Sequence, residues 1–187
     1  MSDRTCCRTG TRAASVAGAL LIAAGVLGGC TWSVVDRGPL PELSKSRDDT
    51  WAVLPLKNNT ETPQAGQRAA SIAHSVMASY GYTSVVRYPS SGDDETLFDP
   101  AKPDQQQTAL DWARQQHAHY AITGDVNEWR YKVGVDGEPA VGLTIVVVEV
   151  DSGKIVWSTS GSRSGWSRSA VSAVAQRLER QLLSPLH

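Results

Sequence analysis

The sequence predicts an α/β domain, a mixed β-sheet of about five strands flanked by about three helices. Three observations carry this reading. Segments of strand and helix character follow one another as strand, helix, strand, helix, three strands, helix. The two early strand–helix units favour parallel neighbours, and the closely spaced late strands favour an antiparallel meander. The chain has 187 residues, 41% of them hydrophobic, which suffices for one well-buried core; none of its three cysteines lies beyond residue 30, so disulfides do not hold that core.

Residues 1–29 read as a cleaved signal peptide. Arg4, Arg8 and Arg12 precede an uncharged run of small and apolar residues from Ala13 to Leu27, the basic and apolar regions of a secretory leader. The run is short and Gly/Ala-rich for a spanning helix, which needs about 20 apolar residues. It ends Leu27-Gly28-Gly29-Cys30, which resembles the lipobox of bacterial lipoproteins. That resemblance implies a diacylglyceryl group and fatty acyl chains such as palmitate on Cys30, several chains being needed for stable anchoring. Thr31 stands where Asp would signal inner-membrane retention, so the expected place is the periplasmic face of the outer membrane.

Charge separates leader from remainder. The leader's three arginines against Asp3 give +2, so the −1 of the whole chain leaves −3 for the mature part. Nothing in that balance suggests nucleic-acid binding.

Residues 30–49 read as the lipidated cysteine and a tether, without sustained periodicity but with room for a short ordered piece. Fully extended, about 20 residues reach about 65 Å. Residues 50–187 form the single periplasmic domain. Trp51-Ala-Val-Leu-Pro-Leu56 is a buried first strand. Thr62-Pro63 has the character of an N-cap followed by proline at the first helical position, and the helix continues to about Tyr80, with Ala65, Ala69, Ile72, Val76 and Tyr80 on one stripe before Gly81. Thr83–Tyr88 is a second strand, and residues 89–103 form a long polar loop.

A helix over about Asp104–His117 precedes three strands, Tyr120–Val133, Ala140–Val150 and Lys154–Ser158. The first two are joined by the turn formers Gly134-Val-Asp-Gly-Glu-Pro139. A last helix spans about Ser169–Leu183, with Ser167 or Ser169 as its cap.

The sequence shows no catalytic constellation: no G-x-S-x-G, P-loop, H-E-x-x-H or C-x-x-C. His117-Ala-His119 reads as a helix end and a strand start rather than a metal site, and Asp93, Asp94 and Glu95 as a solvated loop. Glu149 and Asp151 flank a hairpin turn. No enzyme activity, cofactor or metal is therefore expected. Two residues stand out by placement. Asp136 belongs at a hairpin tip, a soluble turn in a monomer and one carboxylate of a charged collar in a ring. Trp166, flanked by Gly165 and Ser167, suits either a membrane interface or a staple of the last helix onto the sheet.

Several stretches resemble the PelC family, the outer-membrane lipoproteins of Pel-type exopolysaccharide export. They are Leu54-Pro-Leu56, Glu61-Thr-Pro-Gln-Ala-Gly66, Tyr120-Ala-Ile-Thr-Gly124, Glu128-Trp-Arg-Tyr-Lys-Val-Gly-Val-Asp-Gly-Glu-Pro-Ala140, Ser152–Ser158 and Gly161-Ser-Arg-Ser-Gly-Trp166. The resemblance implies a fold similar to the TolB N-terminal domain, shared more broadly with curli-secretion proteins. It implies a homo-oligomeric ring on membrane lipid that works with an outer-membrane β-barrel porin and guides a cationic exopolysaccharide. In that ring Asp136 would line the lumen and Trp166 would face the lipid. The alternative reading is a periplasmic lipoprotein activator docking on a peptidoglycan synthase, which a long tether would favour; a curli-type pore would need extra barrel strands.

Overall fold

The computed structural model describes residues 33–38, 48–89, 103–133 and 137–187. Six strands form one sheet: β1 (Ser33–Arg37), β2 (Trp51–Asn58), β3 (Val85–Arg87), β4 (Tyr120–Tyr131), β5 (Pro139–Glu149) and β6 (Ile155–Ser164). The order across the sheet is β1-β6-β5-β4-β2-β3. As the early strand–helix units require, β4, β2 and β3 run parallel, and each neighbouring pair along β1, β6, β5 and β4 is antiparallel. The expected mixed α/β sheet is present, with one strand more than the sequence predicts.

That strand is β1, which lies inside the span read as tether and pairs Ser33 with Arg163 through Arg37 with Thr159. β6 is correspondingly longer than Lys154–Ser158. Its second half, Thr159–Ser164, has few apolar residues because main-chain bonds to β5 on one side and β1 on the other hold it. The Thr159 hydroxyl adds a 2.7 Å bond to the Asp36 carbonyl.

Three helices complete the domain: α1 (Ala65–Ser79), α2 (Pro103–Gln115) and α3 (Val171–Leu183). α1 and α3 cover one sheet face, where alternate residues Val141, Leu143, Ile145 and Val147 of β5 meet Ala69, Ala73, Val174 and Leu178. α2 packs on the opposite face of β2 and β4, with Ala109 and Ala113 against Ala52, Leu54 and Ala121. β2 is thus covered on both sides, which explains its unbroken apolar run. Pro55 cannot donate to the sheet, and the β2–β4 register shifts between Val53 and Leu56. Its carbonyl accepts a 3.0 Å bond from the Thr123 hydroxyl.

Both expected helix caps are displaced. α1 begins after Gln64, which takes a left-handed conformation at φ 60° and makes no side-chain cap bond. Thr62 instead donates its hydroxyl to the Trp129 carbonyl, tying the loop to β4. α3 is capped by Ala170, again without a side-chain bond, so neither Ser167 nor Ser169 serves. Two glycines permit the closest backbone approaches. A Cβ on Gly66 would lie 2.1 Å from the Leu56 carbonyl oxygen, so α1 rests directly on β2. Gly124, at φ +146°, would place a Cβ 1.9 Å from the Thr144 carbonyl oxygen.

Candidate functional site

The β4–β5 hairpin remains paired to the end of β4, where Tyr131 stands opposite Pro139. Beyond it the Lys132 N–H donates to the Glu138 carbonyl at 2.7 Å. Val133 is fully exposed. Asp136 lies outside the described residues. The nearby cations are engaged by their own sheet: Arg130 Nε meets Glu128 Oε1 at 3.0 Å, and Lys132 Nζ donates to the Ser164 hydroxyl at 2.8 Å.

Trp166 sits in the turn between β6 and α3 and is 70% exposed. The turn itself is fixed. Gly165 is buried, its N–H bonds the Pro139 carbonyl at 2.8 Å, and a Cβ there would strike Val174 Cγ2 at 2.4 Å. The Ser169 N–H closes the turn on the Trp166 carbonyl at 2.8 Å.

The hairpin and the Trp166 turn occupy one end of the sheet. The Gly165–Pro139 and Lys132–Ser164 bonds join them there. The strand register brings a third feature to the same end, because Ser33 pairs with Arg163, three residues before Trp166. Cys30 lies outside the described residues, and only Thr31 and Trp32 separate it from β1 in sequence.

Among the described residues, the others considered from the sequence do not converge on a reaction centre. His117 ends the α2 turn at φ 56°, and His119 Nδ1 lies 3.1 Å from Asp49 Oδ1. No group of three or more metal-ligating side chains occurs among the described residues. Glu149 caps the β5–β6 turn by accepting the Ser152 hydroxyl at 2.5 Å. The acidic residues 93–95 lie outside the described residues. No helix among the described residues is long and apolar enough to cross a membrane.

Two features were not anticipated from the sequence. Glu179 of α3 is fully buried, neither carboxyl oxygen has a hydrogen-bond partner, and burial pushes its pKa well above the ordinary 4.5. A glutamate at a buried position beside Ala175, Leu182 and Leu183 breaks the helix pattern, which was the available signal. The second is an open groove of about 1050 Å³ on the sheet face opposite α1 and α3, crossing β4, β5, β6 and β1. Its residues come from distant parts of the chain, so spacing alone could not group them.

No family model matches the chain, and no curated protein matches it. Solved structures do. The PelC dodecamer from Paraburkholderia phytofirmans matches at 41% identity with a TM-score of 0.67, covering 84% of this chain and 97% of that one. A point variant of the same dodecamer matches at 41% identity and TM-score 0.67, covering 83% and 98%. The mixed six-stranded sheet with three helices is therefore a PelC-like α/β domain. At this identity over nearly the whole of the solved chains, the chain belongs to the PelC family.

Proposed function

We propose that this chain is an outer-membrane lipoprotein, lipidated on Cys30, that assembles into a twelve-membered ring and guides a cationic exopolysaccharide to a β-barrel export porin. The observation that carries the proposal is the 41% identity to a PelC dodecamer across almost all of that chain. The geometry supports it. The exposed indole of Trp166, the entry of β1 at Ser33 and the base of the Asp136 hairpin share one end of the sheet. Lipid and indole together would fix the orientation of each subunit on the membrane, which one flexible anchor does not.

Repeated around a ring, Asp136 supplies one carboxylate per subunit to a collar. The polymer suited to it is a partly deacetylated amino-sugar chain, cationic through its free amines. A single exposed ion pair contributes about 0–1 kcal/mol, so each contact is weak and breaks readily. Many such contacts hold a chain near the opening while letting it slide. The pairing of Arg130 with Glu128 offsets one of the two cations that lie near Asp136 in sequence.

The engagement of β1 weighs against an activator that reaches a peptidoglycan synthase on a long tether, because two residues separate Cys30 from the sheet. The test is export by cells carrying Asp136→Ala in place of the natural chain. Secreted polymer should fall while the protein's amount, fold and membrane fraction stay constant. Unchanged export would remove the collar from the account.

A further inference from the structure

The α1–α3 layer and the groove on the opposite sheet face carry opposite charge. α1 contains no acidic residue, and the only one in α3 is the buried Glu179. The helix layer therefore shows solvent the exposed Arg68, Arg177 and Arg180 with no exposed carboxylate from either helix. Arg37 and Arg163 extend it at the sheet edge, where both reach Gln181.

The opposite face carries the groove. Among the described residues its charged lining is Asp36, Glu61, Glu128 and Arg130, and the one cation is already bonded to Glu128. The floor is shallow because Thr144, Ser160 and Ser162 are small and Gly142 has no side chain. Val34, on the rim, is 59% exposed.

We infer that these two faces bind each other between copies of this chain, the arginines of one α1–α3 layer seating in the acidic groove of the next copy. The inference rests on the ring reading above and specifies its contact. Charge complementarity selects the occupant: groove against groove opposes carboxylates, and helix layer against helix layer opposes arginines. Front-to-back contact alone joins unlike charges. A contact between two different faces is heterologous, and a heterologous contact whose rotation closes makes a ring. The groove then becomes a subunit joint, with the Asp136 hairpin and Trp166 left free at the end of the sheet.

The test is charge exchange, read as native mass of the full chain in detergent. Asp36→Lys with Glu61→Lys should raise the concentration for half-assembly at least tenfold, and Arg177→Glu with Arg180→Glu should do the same. Combining all four changes in one chain, or mixing the two double variants in equal amounts, should restore the ring, because each groove again meets an opposite charge. The milder Asp36→Asn with Glu61→Gln should weaken assembly and flatten its salt dependence, which covers the case in which reversal disturbs folding. A groove variant that assembles like the wild type overturns the inference, as does loss that neither combination restores. A groove variant that keeps its ring yet no longer retains a chitosan oligosaccharide also overturns it, and assigns the groove to polymer. A wild-type chain that never assembles instead defeats the ring reading itself.

Discussion

Replacing Trp166 with alanine separates anchoring from folding. The indole is 70% exposed on a turn whose backbone is held by Gly165 and Ser169. Its removal deletes little packing, so folding stability should change by less than about 0.5 kcal/mol. Membrane seating should respond differently. A tryptophan offers about 200 Å² of surface. Seventy per cent of that, at about 25 cal/mol per Å², gives an upper limit of about 3.5 kcal/mol per subunit for a fully inserted ring. The assay is flotation with phospholipid vesicles of a Cys30→Ser background, so that acyl chains do not mask the indole, alongside thermal unfolding. Trp157→Ala is the control: that ring is 3% exposed, and its loss should cost about 3–5 kcal/mol. The reasoning fails if Trp166→Ala unfolds the domain or floats as well as its parent.

Other perturbations probe the remaining parts of the account. Glu179→Met should stabilise the domain by about 1–3 kcal/mol, since it removes a buried carboxyl with no partner. The advantage should grow with pH: the folded pKa is raised, so the wild type is least penalised below its ordinary 4.5 and loses stability as pH climbs above it, a trend that paired melting curves at pH 4.5 and 7.5 would show. Gly124→Ala should cost about 3 kcal/mol or more in denaturant unfolding, because a Cβ would collide with the Thr144 carbonyl at the centre of the β4–β5 pair. Asp136→Glu should retain most polymer export where Asp136→Ala does not, if charge rather than turn shape is what matters at that position.

The legible parts of the fold were those in which side-chain pattern and burial agree. β2 is apolar because helices cover both faces, and β5 alternates because α1 and α3 meet every second residue. β1 and the distal half of β6 were hidden for the opposite reason. They sit where main-chain pairing does the holding and the side chains are small or polar. Serine at 158, 160, 162 and 164 is a period-two signal, but a polar one that reads equally as loop. The α1 start was misread because the Thr62 hydroxyl donates to the Trp129 carbonyl of β4, and the helix begins only after Gln64. Trp166 stood out in the sequence through its small and polar neighbours, and the fold leaves its ring 70% exposed. The acidic groove had no sequence signature, since Asp36, Glu61 and Glu128 become neighbours only across the sheet.

The central claim is that this chain works as a closed ring on a membrane. Native mass of the wild-type full-length chain, extracted with its lipid and held in mild detergent, tests it most directly. The account predicts a single assembly of twelve chains, as in the related PelC dodecamer. A monomer at every protein concentration and in every lipid mimetic would contradict it.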